Sequence, residues 1–170
     1  MKGTRVVIAS PMRGVVEHCY ITGTPKPGTC MEIKPATEPV GGVFNYQAYG
    51  TQAASGGKFV GADGNRKAVA VLLEKDQEAG IYSDAYAAGD LGRVYYPVMG
   101  EWLNVLFANV AGTSDTLAIG DEFMIDDGTG KLMAVDSDAE AHPFTCLETV
   151  ATALTADTMI WCRFNGAGGA

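Results

Sequence analysis

A chain of 170 residues with twelve Lys and Arg against twenty Asp and Glu carries a net charge of −8. That sign argues against a nucleic-acid binder, which needs a basic footprint to displace counterions, and against adsorption to an anionic membrane. The length suits one ordinary domain burying about 69% of its unfolded surface, enough for a core without metal or disulfide staples. Charged residues are only 19%, while glycines number 22. No apolar run approaches the ~18 residues of a membrane span, and the opening MKGTRVVIASPM lacks the apolar stretch of a secretion signal. The expectation from these features is a protein that works in, or is assembled in, a cytoplasm.

In chain order, short segments rich in Val, Ile, Tyr and Phe are punctuated by Gly, Pro, Asp and Asn. They predict strands at 4–9, 15–22, 29–33, 44–49, 68–75, 92–97, 102–107, 122–125, 132–135, 144–150 and 159–164. Helix signals are confined to 83–88 and 148–153, too short to stand alone. The expectation is an all-β fold: a small β-barrel, β-tulip or sandwich with an extended N-terminal arm and a long Gly-rich loop. The arm and first strands occupy 1–50, the Gly-rich loop 51–65, the β body 66–164 and a flexible tail 165–170.

Tested singly, the candidate chemical sites fail. His18 and Cys19 are adjacent in a strand, so their side chains point to opposite faces and make no dyad. His142, before Pro143, reads as a turn histidine. The run Gly23-Thr24-Pro25-Lys26-Pro27-Gly28-Thr29 lacks the Lys that ends a phosphate-binding loop, and its prolines remove amide donors. The segment 126–130 reads as a hairpin turn, and Asp126, Asp127, Asp136 and Asp138 as solvated turn acids without calcium-loop spacing. Cys19, Cys30, Cys146 and Cys162 match no zinc signature and sit among β-branched and aromatic neighbours, the setting of buried reduced thiols. Gly89-Asp90, Gly100-Glu101 and Gly120-Asp121 read as one repeated turn device rather than three catalytic acids.

From residue 27 to 164 an ordered set of phrases resembles the head-decoration (capsid cement) proteins of tailed bacteriophages. They are Pro27-Gly28-Thr29-Cys30-Met31-Glu32-Ile33, the apolar run Val69–Lys75, Asp84-Ala85-Tyr86-Ala87-Ala88-Gly89-Asp90, Tyr96-Pro97-Val98-Met99-Gly100-Glu101, and Ile119-Gly120-Asp121 with Gly130-Lys131-Leu132. Two closing strands, 143–150 and 158–164, complete the likeness. The resemblance implies a non-enzymatic homotrimer on the outer surface of a mature capsid, partnered by the major capsid protein, with no catalytic residue, cofactor, metal, nucleic acid or membrane. Shell contact is then expected at Thr4, Arg5, Val6, Val7, Ile8, Lys58 and Phe59, and trimer contact at Tyr95, Trp102 and Phe107. The alternatives are a carbohydrate-binding module, with Trp102 beside Glu101 and Asn104 as the sugar platform, or another accessory virion part such as a head-fibre base or tail component.

Overall fold

The computed structural model describes residues 14–34, 37–49, 68–75, 84–108, 116–126, 128–135, 142–151, 154 and 156–166. The expected strand 4–9 and the residues Thr4, Arg5, Val6, Val7, Ile8, Lys58 and Phe59 lie outside them. The described residues are all β, in ten strands: β1 Val15–Ile21, β2 Cys30–Ile33, β3 Asn45–Ala48, β4 Ala70–Leu72, β5 Leu91–Tyr96, β6 Trp102–Phe107, β7 Glu122–Ile125, β8 Leu132–Ala134, β9 Phe144–Cys146 and β10 Thr158–Phe164. The short helical turns expected at 83–88 and 148–153 are not helix where described. Ala88 and Gly89 form a tight turn, and Val150 makes a β-bridge to Leu117.

The strands close into two small barrels, β1-β3-β2-β4-β5 and β6-β8-β7-β9-β10. Counted within each half, the order is the same: first, third, second, fourth, fifth. In each half the first and third strands run parallel and every other pair antiparallel. The registers agree residue by residue. Met31 pairs Ala70 and Ala48 in the first barrel, as Phe123 pairs Phe144 and Ala134 in the second. Ile21 pairs Tyr46 as Phe107 pairs Leu132, and Leu72 pairs Val94 as Cys146 pairs Cys162. Loop bonds repeat too: Gly28 N–H to Leu72 O matches Gly120 N–H to Cys146 O, and Leu73 N–H to Arg93 O matches Leu147 N–H to Trp161 O. The chain is therefore a tandem repeat of one five-stranded unit.

The division falls between Tyr96 and Trp102 rather than at the Gly-rich stretch. Within 66–164, β4 and β5 close the first barrel with β1–β3.

The cores differ. The second barrel is filled by Leu103, Val105, Phe107, Phe123, Leu132, Phe144 and Phe164, with Phe107 edge-on to Phe123 at 5.1 Å. The first packs Cys19, Ile21, Met31, Tyr46, Leu72, Tyr86 and Val94. Where the second barrel has Leu103, Leu132 and Phe164, the first has Glu17, Tyr46 and Tyr96. Tyr46 Oη donates to Glu17 Oε2 at 2.9 Å and is hydrogen-bonded to Tyr96 Oη. Burial, then the bond to Tyr96, raises the Tyr46 phenol far above its usual range.

Backbone welds the barrels. Leu106 N–H donates to Gly28 O at 3.0 Å, Cys30 N–H to Gly130 O at 2.7 Å, and Gly128 N–H to Tyr49 O at 3.1 Å. In the first barrel, Tyr20 N–H bonds Phe44 O across the parallel seam. In the second, the Gly28–Cys30 backbone of its neighbour occupies the equivalent seam between Leu106 and Gly130. Cys30, Val71 and Tyr95, outward on the first barrel, thereby join the core cluster of the second.

Candidate interaction surface

The acids most suggestive of chemistry are committed to turns. In Ala87–Asp90, Val98–Glu101 and Ala118–Asp121 the third residue is Gly at φ +90°, +90° and +100°, as the type II turn requires. Each acid's carboxylate accepts from the N–H three residues earlier: Ala87 N–H to Asp90 Oδ2 at 2.9 Å, Val98 N–H to Glu101 Oε2 at 2.8 Å, and Ala118 N–H to Asp121 Oδ2 at 2.7 Å. The Ala87 amide and the Lys75 ammonium, 3.0 Å away, hold Asp90 below the usual carboxylate range. Lys26–Thr29 is a fourth copy, with Thr29 in the acid's place and Pro27 presetting the turn.

Nucleophiles are equally withdrawn. All four cysteines are free and buried, as their neighbours predict. Burial pushes the Cys19 thiol up to about 12 and raises Cys30, Cys146 and Cys162 as well. An aromatic disulfide reagent at mildly alkaline pH is therefore expected to label no thiol of the native protein within minutes, and all four in denaturant. A fast-reacting native thiol contradicts this arrangement. His18 lies across the strand pair from Arg93, on the face opposite Cys19. His142 Nδ1 meets Glu122 Oε2 at 2.7 Å, and its main-chain oxygen accepts from Asn165 Nδ2 at 3.2 Å. The pair buttresses the β7–β9 edge.

Of the three expected self-contact residues, Tyr95 and Phe107 are fully buried within the single chain. Tyr95 Oη accepts from Gly14 N–H at 3.0 Å and donates to Glu101 Oε2 at 2.6 Å, tying together the starts of both repeats. Trp102 is 49% exposed. It begins a row across the outer face of the second barrel, Trp102–Arg163–Thr145–Glu122, set by successive cross-strand pairs. Trp161, opposite Asn104, lies on the same face one step along. Both tryptophans of the chain thus share one outer face, and Val98 and Met99, 42% and 70% exposed, precede Trp102 on the adjoining turn. Leu91, Ile119, Val40 and Val15 are also more than half exposed.

A half-open groove of about 550 Å³ lies at the barrel junction, lined by Thr22, Lys26, Thr29, Gln47, Thr129 and Lys131 among others. The Lys131 ammonium is neutralised by Asp157 at 2.7 Å. Among the described residues no group of three or more His, Cys, Asp or Glu is placed to hold a metal ion, and no helix is long and apolar enough to cross a membrane. The arrangement offers exposed aromatic and aliphatic side chains on rigid strands and turns, the chemistry of protein contact. The sequence did not reveal that both tryptophans share a face, because their pairing depends on the register of β6 with β10. No protein-family model matches the chain, and no curated protein matches it.

Proposed function

We propose that the chain is a non-enzymatic virion structural protein, a homotrimeric cement that binds the outer surface of a mature phage capsid and stabilises it. The observation that carries this reading is the allocation of side chains. Acids cap turns, thiols are buried, and the rigid barrels leave Trp102, Val98, Met99, Leu91 and Ile119 at the surface. The phrases between residues 27 and 164 that resemble capsid decoration proteins supply the partner, the major capsid protein. A protein that binds assembled shell better than free subunits stabilises the shell by mass action, and a trimer gains avidity from three weak feet.

The test is co-sedimentation with shells assembled from the major capsid protein of the same virus. Saturable binding to expanded shells, with little to unexpanded precursors, is expected. Failure to bind either form refutes the reading. The pair of tryptophans on one face, flanked by Arg163, favours a second reading, an accessory virion module that binds carbohydrate. A glycan seated at Trp102 in a soaked crystal would support it.

A further inference from the structure

The contact between the two repeats is heterologous: a turn of the first barrel presses on the outer face of β6 and β10 of the second. The knob is Lys26–Thr29, where Pro27, Gly28 and Thr29 are buried. A Cβ on Gly28 would lie 2.7 Å from Met159 Sδ and 3.0 Å from Leu106 N, which marks Leu106 and Met159 as the receptor. They are 0% and 3% exposed. Because the repeats share one register, each part has a counterpart. The second barrel's knob is the turn Ala118–Asp121, exposed throughout, with Ile119 in the place of Pro27 and 67% exposed. The first barrel's receptor is the cross-strand pair Tyr20 and Leu91, in the places of Leu106 and Met159. Leu91 is 59% exposed, and Phe44, whose carbonyl takes Tyr20 N–H, is 37% exposed.

We propose that these counterparts meet between copies: the Ile119 turn of one copy seats on Tyr20, Leu91 and Phe44 of the next. Three observations name a second copy as the occupant. Knob and receptor both present large apolar side chains to solvent, on surfaces whose equivalents are buried against each other inside the chain. Their charges are complementary, since Asp121 ends the knob, while Arg93 stands one register step along the receptor. The polarity is head to tail, so each copy keeps one free knob and one free receptor, and association ends only when a ring closes.

The backbone weld is not repeated. Phe44 stands where the second barrel has Gly130, and its carbonyl already takes Tyr20 N–H. The contact between copies is therefore made by side chains and is reversible. This inference rests on the homotrimer of the proposed function, whereas shell binding is tested separately by co-sedimentation.

Sedimentation velocity at rising concentration tests it. The wild type self-associates, and Ile119→Glu and Leu91→Glu each run at monomer mass with unchanged urea midpoints. An equimolar mixture of the two variants recovers a dimer, since one intact knob then meets one intact receptor. A wild type monomeric throughout, variants that associate like it, or a mixture that stays monomeric each overturn the proposal. As a check independent of these charge changes, Ile119→Cys mixed with Leu91→Cys in oxidised glutathione yields a cross-linked heterodimer, the two new thiols giving up their hydrogens as glutathione is reduced. Cross-linking no greater than in the separate variants contradicts the contact.

Discussion

Gly130→Ala is expected to lower stability by about 3 kcal/mol or more, which for a chain of this size is a fall in Tm of about 10 °C. Two causes add. The residue sits at φ +66°, where a Cβ costs roughly 1–2 kcal/mol. The Cβ would also collide with the Cys30 carbonyl oxygen and lie 2.8 Å from Thr29 Cγ2. Those atoms belong to the segment that the first barrel inserts into the second, so relief of the clash must disturb the bond from Cys30 N–H to Gly130 O. Gly120→Ala is the control. Its φ of +100° carries conformational strain, but nothing lies within 4 Å of its Cβ, so a cost of only about 1–2 kcal/mol is expected. Equal losses in the two variants, measured by urea unfolding, would mean that the junction contributes nothing beyond local strain.

Glu101→Ala is expected to cost about 3 kcal/mol, against about 1 kcal/mol or less for Asp121→Ala. Both acids perform the same turn cap, yet Glu101 is 3% exposed and Asp121 lies on an exposed turn. Glu101 also accepts from Tyr95 Oη, which itself holds Gly14 N–H. Truncation leaves a buried phenol and a main-chain amide without their acceptor. Glu101→Gln keeps an acceptor and recovers part of the loss. If the exposed and buried caps cost the same, Glu101 does not lock the connection between barrels.

The fold was largely legible because period-two alternation and Gly-containing turns are local signals. The segments 102–107 and 122–125 match β6 and β7 to the residue, and the turn role of Gly89-Asp90, Gly100-Glu101 and Gly120-Asp121 holds in every copy. The tandem repeat was hidden for a physical reason. A barrel position asks only for a side chain that fills its space, so Glu17 and Leu103, or Tyr46 and Leu132, occupy equivalent places without resembling one another. Connections of unequal length erase any constant spacing. Tyr95 illustrates the remaining difficulty. As an aromatic in an alternating strand it resembles a surface anchor, but its outward face is covered by the chain's own second barrel, a fact set by tertiary packing. Trp102 has the same composition signal and stays half exposed because it lies beyond the reach of that contact.

Adhesion to a protein lattice is the work proposed for this chain. Quantitative mass spectrometry of purified virus particles tests it most directly. It predicts copies of this protein in number comparable to the major capsid protein, lost together when particles are stripped of surface proteins. A particle carrying only a handful of copies, or none, would contradict it.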